Sequence, residues 1–326
     1  MTKNENKEYN FSSGEIEKQI PYFSEKGITE FTIHDNDIAC NKKRVLKILN
    51  LVAQKAPEVF ISIRIKAEII DREIAAAATQ IFCSFDIPLE CESKGEKLLF
   101  DKKFYASKAK LLNDFGLVFG FYLEYAVMQG DSLKAFLDRI DFAVQQYPNH
   151  IDFPEVNSPK VTGLFSAQDI RYARDVSFAC QTFYTCGRAV PWFLSILKPL
   201  RIYSSRFFAD FAEWQRCNNC DYKSGFTPEK EAHKSIEKMQ LLFLDEKYEE
   251  KNCHQLIPLV HDIVALNGAM SRVAGENEES SIVTSYNPDD LLSEEALNLV
   301  SFCENVCMEN CTVHVFAGED GIDYEY

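Results

Sequence analysis

The fold is decided by four apolar runs: EFTIHDND (residues 30–37), VFISIRIKAE (59–68), IFCSFDIPLE (81–90) and LVFGFYLEY (117–125). Each run ends in acidic or polar residues, and segments with helical spacing separate one run from the next. Strands that alternate with helices form a parallel sheet whose crossover connections are right-handed. We therefore expect an α/β fold.

The segments between the runs carry helix-start signals. Asn41 precedes apolar residues spaced three and four apart, and Asp71 and Asp131 begin two further segments of this kind. Another helix is expected near residues 101–114, and a short fifth strand at 151–156. Five strand–helix units predict an incomplete (β/α) barrel of parallel strands rather than a closed barrel of eight units.

The second half has a different pattern. Residues 166–275 are helical in character and rich in aromatic residues, and Thr227-Pro228-Glu229 is typical of a helix start. In the tail we expect a strand at 281–286, a helix at 293–310 and a terminal hairpin. The predicted organisation is a disordered lead-in (1–11), a partial barrel (12–160) and a helical C-terminal domain with a small β element (161–326).

Composition excludes several classes of function. The formal net charge of −15 argues against binding to nucleic acid, which needs a basic surface. No apolar run reaches the roughly 18–20 residues that span a membrane, and the first residues lack a hydrophobic signal core. We therefore expect a cytoplasmic protein, in which the 11 cysteines are free thiols or metal ligands rather than disulfides.

Several segments carry a resemblance to a known family. The chain resembles the radical S-adenosylmethionine superfamily, and most closely its cobalamin-associated branch with a helical C-terminal extension. The segments that carry this resemblance are 31–44 (FTIHDNDIACNKKR), 87–93 (IPLECES), 104–132, 147–155 (YPNHIDFPE), 204–214 (SSRFFADFAEW), 261–272 (HDIVALNGAMSR) and 315–324 (VFAGEDGIDY).

Two departures from the family pattern shape what the resemblance implies. In the family, a Cys-x3-Cys-x2-Cys loop after the first strand holds an iron–sulfur cluster, and by the resemblance this chain begins just after that loop. The Gly-x-Pro-Gly-Asp/Glu-Ser/Thr turn of the family is also eroded, since residues 126–132 (AVMQGDS) keep only its end. The resemblance therefore implies a degenerate member without the cluster motif.

The carboxyl ends of parallel strands are where such sheets bind ligands. The residues expected there to bind a cofactor, with S-adenosylmethionine the one implied by the resemblance, are His34, Asp35, Asp37, Glu90 and Glu124. By the resemblance, residues 34–37 occupy the place that binds the methionine amino group. The alternative is a solvated loop in which Asp and Asn close turns and cap the next helix. Arg64 and Lys66 are candidate internal partners for the glutamates.

The cysteines offer a second site. Cys303, Cys307 and Cys311 lie four apart on the helix expected at 293–310, and Cys217 and Cys220 have half the spacing of a zinc site. These five residues are the candidate ligands of an iron–sulfur cluster or zinc ion. The alternative is a helix that simply packs through its cysteines.

Three functions follow as hypotheses. The first is a non-catalytic partner or regulatory subunit of a cluster-bearing radical S-adenosylmethionine and cobalamin enzyme that modifies peptides or small metabolites. Its open sheet edge would be covered by that relative, by a second copy in a homodimer or by the C-terminal helices. The second is an active metalloenzyme that uses the C-terminal cysteines. The third is a module that binds S-adenosylmethionine or a peptide without chemistry.

Overall fold

The computed structural model describes residues 15–95, 97–154, 158–319 and 321–326 of an α/β protein. Its strands are β1 (Glu30–Ile33), β2 (Phe60–Arg64), β3 (Cys83–Pro88), β4 (Glu92–Lys94), β5 (Lys97–Leu99), β6 (Val118–Tyr122), β7 (His150–Asp152), β8 (Ser280–Thr284), β9 (Cys311–Gly318) and β10 (Gly321–Glu325). The expected lead-in at 1–11 lies outside the described residues.

The α-helices alternate with the strands in the first half and dominate the second. They are α1 (Ile16–Gln19), α2 (Asn36–Ala39), α3 (Lys42–Lys55), α4 (Arg72–Ala78), α5 (Lys102–Asp114), α6 (Leu133–Val144), α7 (Ala167–Cys180), α8 (Phe193–Leu200), α9 (Ser204–Asn218), α10 (His233–Glu250), α11 (Ile257–Glu276), α12 (Pro288–Leu291) and α13 (Leu299–Asn305). None of the helices that the structure describes is both long and apolar enough to cross a membrane.

Five parallel strands form one sheet in the spatial order β1-β2-β3-β6-β7. This order follows the order along the chain, as expected for strands wound in one direction. The predicted α/β class and the helical C-terminal part are confirmed. In the described part of the chain the sheet stays open, with β1 at one end of the order and β7 at the other.

The chain divides into two compact units, and their boundaries differ from the predicted domain boundary at 160. One unit comprises the chain up to Glu90 together with Phe100–Tyr122, and the other comprises Cys91–Leu99 and Leu123–Tyr326. The segment Cys91–Leu99 carries β4 and β5, an antiparallel pair that the sequence analysis treated as a loop. Short strands of charged residues lack the apolar alternation that identifies a strand in sequence.

The helices of the first unit begin where their capping residues predict. The side chain of Asn41 accepts a hydrogen bond from the Arg44 amide, and Asp71 and Asp101 cap α4 and α5 in the same way. Each cap satisfies an amide that has no partner within its helix. The residues of α3 that the apolar spacing placed in the core are fully buried: Val45, Ile48, Leu49 and Val52.

The second unit has a core of aromatic rings. Phe183 lies on the π-helix Gln181–Cys186, and its ring centroid is 4.9 Å from that of Phe207 and 5.0 Å from that of Phe211. Phe243 of α10 packs against the same two rings. These four phenylalanines are therefore part of the core, where each contributes a large apolar surface, whereas Tyr172 and Tyr203 are exposed.

Two predicted elements of the second unit are wrong. The expected helix at 293–310 is the 3₁₀ turn Glu294–Leu297 followed by α13, which ends at Asn305. Thr227-Pro228-Glu229 begins only a 3₁₀ turn, and α10 starts at His233 after Ala232. The predicted hairpin is confirmed by β9 and β10, which continue a three-stranded antiparallel sheet with β8.

A buried ionic network joins α10 and α11. Arg272 donates from Nη1 to Glu237 Oε2 at 2.5 Å and to His233 Nδ1 at 3.1 Å. Because arginine only donates, Nδ1 of His233 accepts, and its Nε2–H is left to donate to the Gly187 carbonyl at 3.4 Å. Gly268 makes room for this network, since a Cβ there would lie 1.8 Å from Glu237 Oε2.

This network predicts a loss of stability in acid. Burial, with the nearby Arg188 and Arg272 cations, lowers the pKa of His233 from 6.5 to about 4. The unfolded chain therefore binds a proton that the folded chain excludes, and stability falls as the pH drops from about 7 toward 4, by up to about 3 kcal/mol. Denaturant unfolding across this range should show a shallower slope for His233→Gln than for the native chain.

The control is His254→Gln, which replaces an exposed histidine at the start of a 3₁₀ turn. Burial raises the pKa of Asp262 to about 6, so this residue makes stability rise as the pH falls in every variant. The test therefore compares the difference in slope between variants. Identical slopes for His233→Gln and the native chain would contradict the assignment of this histidine.

Candidate functional site

One face of the parallel sheet in the first unit is polar. Ile61, Ile63 and Ile65 of the second run are fully buried, whereas the alternating residues Ser62 and Arg64 are half-buried. Successive side chains of a strand point to opposite faces, so the isoleucines occupy one face and the polar residues the other. This second face is where we place the candidate functional site.

The register of the parallel strands brings polar residues together on this face. Thr32 of β1 lies beside Ser62 of β2, and Arg64 lies beside Asp86 of β3. Tyr122 ends β6, where it lies beside Pro88 of β3, two residues beyond Asp86. We call His34, Ser62, Arg64, Asp86 and Tyr122 the strand-end cluster.

Asp86 is the centre of the cluster. Only 3% of it is exposed, although it carries a carboxylate. Ser62 Oγ donates to Asp86 Oδ2 at 2.8 Å, and His34 Nε2 lies 3.7 Å from the same oxygen. The His34 side chain is 46% exposed, so a solvent-accessible imidazole lies beside a buried carboxylate.

Arg64 is a cation without a carboxylate partner among the described residues. Its guanidinium carbon lies 4.6 Å from the centre of the Tyr122 ring, and the edge of the His34 ring packs against the same tyrosine. The Nε atom of Arg64 is buried and has no hydrogen-bond partner in the described part of the chain. A buried, unpaired donor is costly, and an anionic ligand would satisfy a guanidinium held in this way.

The two predicted acids after β1 differ in their contacts. Asp35 accepts hydrogen bonds from the amides of Asp37 and Ile38, both at 2.9 Å, and so caps α2. Asp37 is exposed in the first turn of that helix. The structure therefore brings His34 into the cluster, while Asp35 has the capping role that the sequence left open as an alternative.

The two predicted glutamates lie in different units. Glu90 is exposed and forms an ion pair with Lys66 at 3.2 Å. Lys66 is one of the two cations that the sequence analysis named as candidate partners of the glutamates. Glu124 belongs to the second unit and is half-buried. An exposed ion pair contributes little stability, so Lys66 and Glu90 are available to a ligand at the end of β2 and β3.

The candidate metal ligands lie on separate elements. Cys303 is on α13, Cys307 is exposed after that helix ends, and Cys311 begins β9. Cys217 and Cys220 are exposed at the end of α9 and just beyond it. Among the described residues, no three His, Cys, Asp or Glu side chains form a group that could hold a metal ion. The arrangement therefore does not fit an iron–sulfur cluster or a structural zinc.

The turn at residues 126–132 has a structural role. Asp131 is buried and accepts hydrogen bonds from the amides of Ala126 and Ser132, both at 2.9 Å. Arg139 of α6 donates from Nη2 to both carboxylate oxygens of Asp131, at 3.0 and 3.1 Å, and from Nη1 to Cys91 Sγ. Asp131 thus closes the turn and anchors it to the helix that follows.

No model of a known protein family matches this chain, and no curated protein matches it. The site consequently stands on its own geometry. The sequence analysis predicted His34 as a site residue and did not single out Ser62, Asp86 or Tyr122. The signal for them was available, because polar residues at every second position of a buried strand must share one face.

We predict that Ser62→Ala lowers the free energy of unfolding by about 1 kcal/mol, because it removes a hydrogen bond to a buried carboxylate. The control is Ser107→Ala on α5, whose exposed hydroxyl donates to the Phe104 carbonyl of its own helix. Denaturant unfolding followed by circular dichroism measures both. Equal effects in the two variants would show that Ser62 does not support Asp86.

Proposed function

We propose that this chain is a non-catalytic, ligand-binding protein related to the radical S-adenosylmethionine barrels. Its strand-end cluster binds a small molecule that carries an anionic group. The proposal rests on Arg64, because its guanidinium packs on the Tyr122 ring and its Nε lacks a hydrogen-bond partner among the described residues. A guanidinium is suited to carboxylate and phosphate, which accept two parallel hydrogen bonds from it.

The other members of the cluster suit the polar remainder of such a ligand. His34 is accessible and lies beside the buried Asp86 carboxylate, which favours a hydrogen-bond donor or a positive group near the imidazole. S-Adenosylmethionine combines a carboxylate with positive groups, and the resemblance of residues 31–44 to its binding segment supports it as the first ligand to test.

Isothermal titration calorimetry of the full chain with S-adenosylmethionine, S-adenosylhomocysteine and methionine tests the proposal. Arg64→Met keeps the aliphatic stem but removes the charge, and we expect it to weaken binding by about tenfold, the value of a charge-assisted hydrogen bond. The matched control is Arg72→Met, an exposed arginine at the start of α4 in the same unit, which should bind like the native chain.

Two results would reject this ligand site. One is that none of the three compounds binds the native chain. The other is that Arg64→Met binds as tightly as Arg72→Met while both keep the native circular dichroism spectrum.

A subunit role is the second candidate function, and it is favoured by the edge of β1 that pairs with no other strand among the described residues. The Phe60 amide of β2 donates to the Thr29 carbonyl at 2.9 Å. Backbone groups of a parallel strand alternate in direction, so those of Glu30 and Thr32 turn away from β2. We propose that a cluster-bearing relative, or a second copy of this chain, adds a strand at this edge.

Thr32→Pro tests the subunit role. Proline removes the outward amide and should turn a complex or homodimer into a monomer, whereas the bonds to β2 made by the neighbouring residues remain. Thr32→Val keeps the amide and serves as the control. Size-exclusion chromatography with light scattering, after anaerobic purification, gives the readout. A native chain that is monomeric and retains no partner would contradict the proposal.

A further inference from the structure

Two exposed cysteines lie at the end of α9. Cys217 is in the last turn of the helix, and Cys220 lies just beyond the last helical residue, Asn218. The sequence analysis treated this Cys-x-x-Cys pair as half of a zinc site, but in the described part of the chain it joins no third metal-binding side chain. The other chemistry of this spacing is thiol–disulfide exchange.

The backbone between the two cysteines forms a tight turn. Asn218 is helical, whereas Asn219 is extended, with φ −90° and ψ 104°. A helical residue followed by an extended one is the pattern of a type VIII β-turn, whose first and fourth Cα atoms lie less than about 7 Å apart. A disulfide joins Cα atoms that are about 4.4–6.8 Å apart. The turn therefore places Cys217 and Cys220 at a separation that a disulfide spans.

Hydrogen bonds hold this turn on both sides of Asn219. Its amide donates to the Gln215 carbonyl at 2.9 Å, and its carbonyl accepts from the Tyr222 amide at 3.2 Å. Its side-chain Oδ1 accepts from the Asp221 amide at 3.0 Å. The Tyr222 ring packs edge-on against Phe178 of α7, with ring centroids 5.7 Å apart. The folded chain thus orders the backbone between the two thiols before they react.

Both thiols are open to reagents in solution. Cys217 lines a groove of about 520 Å³ formed by α9 and α10, and Cys220 is exposed outside the helix. By contrast, Cys83 and Cys180 are buried, and burial raises the pKa of each of these thiols. Because the thiolate is the form that attacks a disulfide, exchange with a reagent is favoured at the exposed cysteines.

We propose that Cys217 and Cys220 are a reversible thiol–disulfide site that small organic disulfides oxidise. The thiolate of one cysteine attacks the external disulfide, which forms a mixed disulfide with the protein and releases one small thiol. The other cysteine then attacks the protein-side sulfur of the mixed disulfide, which forms the bond between the two cysteines and releases the second small thiol. The protein pair loses two electrons and two protons, and the external disulfide gains them.

The small size of the ring suits a reversible bond. The ring closed by the bond spans only residues 217–220, and cross-links over short loops stabilise a fold least. Exposed disulfides are also the ones that are reduced most readily. Oxidation would restrain the end of α9 and the 3₁₀ turn Tyr222–Ser224 that follows it, so this segment is the part of the chain that responds to the thiol redox state.

Oxidation of the folded full chain by glutathione disulfide tests this inference. After alkylation of the remaining thiols, trypsin releases residues 217–223 (CNNCDYK), a peptide that contains both cysteines and no other. With reduced glutathione at about one tenth of the roughly millimolar effective concentration of a neighbouring thiol, the internal disulfide should exceed the glutathione adduct about tenfold. Mass spectrometry distinguishes the two forms, because the internal disulfide carries neither glutathione nor an alkyl group.

Two controls have a single thiol. Cys40 is exposed and lies alone in the tryptic peptide 27–42, so it should carry only the glutathione adduct. Cys220→Ser removes one member of the pair, and the remaining Cys217 should also be recovered only as the adduct, with complete loss of the internal disulfide.

Either of two results would overturn the inference. The first is that the native peptide 217–223 is recovered as the dithiol, as the adduct or joined to another cysteine under conditions that modify Cys40. The second is a ratio of internal disulfide to adduct that is no higher in the folded chain than in the chain unfolded by urea, which would show that the turn does not bring the thiols together. Neither result depends on ligand binding at Arg64.

Discussion

The alternation of side chains along the parallel strands is the constraint on which this site depends. Isoleucines at every second position of β2 are buried on one face, and this fixes Ser62 and Arg64 on the other. A shift of one residue in register would bury the guanidinium and expose the isoleucines, so the same packing that stabilises the sheet also holds the site. The positions of Ser62 and Arg64 are therefore set by the core behind them, which suits a preorganised binding site.

Two buried arginines of the described structure have a carboxylate partner. Arg139 pairs with Asp131, and Arg272 pairs with Glu237. Removing one partner of such a pair leaves an uncompensated charge, which costs more than the pair itself contributes. Arg64 differs from these two arginines because no carboxylate among the described residues forms an ion pair with it, and this supports the proposed anionic ligand.

Much of the fold followed from sequence, and particular residues show why the remainder did not. Asn41 and Asp71 cap helices because their side chains are adjacent in sequence to the amides that they satisfy, which makes them predictable. The strand-end cluster joins Ser62 to Asp86 across 24 positions, so its identity depends on register. The evenly spaced cysteines at 303–311 suggested one helix, but Asn305 ends α13 and the three thiols fall on different elements.

The role of Asp131 bears on how short motifs are interpreted. An acid that neutralises an internal arginine and closes a turn contributes to folding, whatever reaction the protein carries out. A short motif that contains such an acid can therefore be common to proteins whose activities differ. Activity must instead be judged from the groups that face solvent.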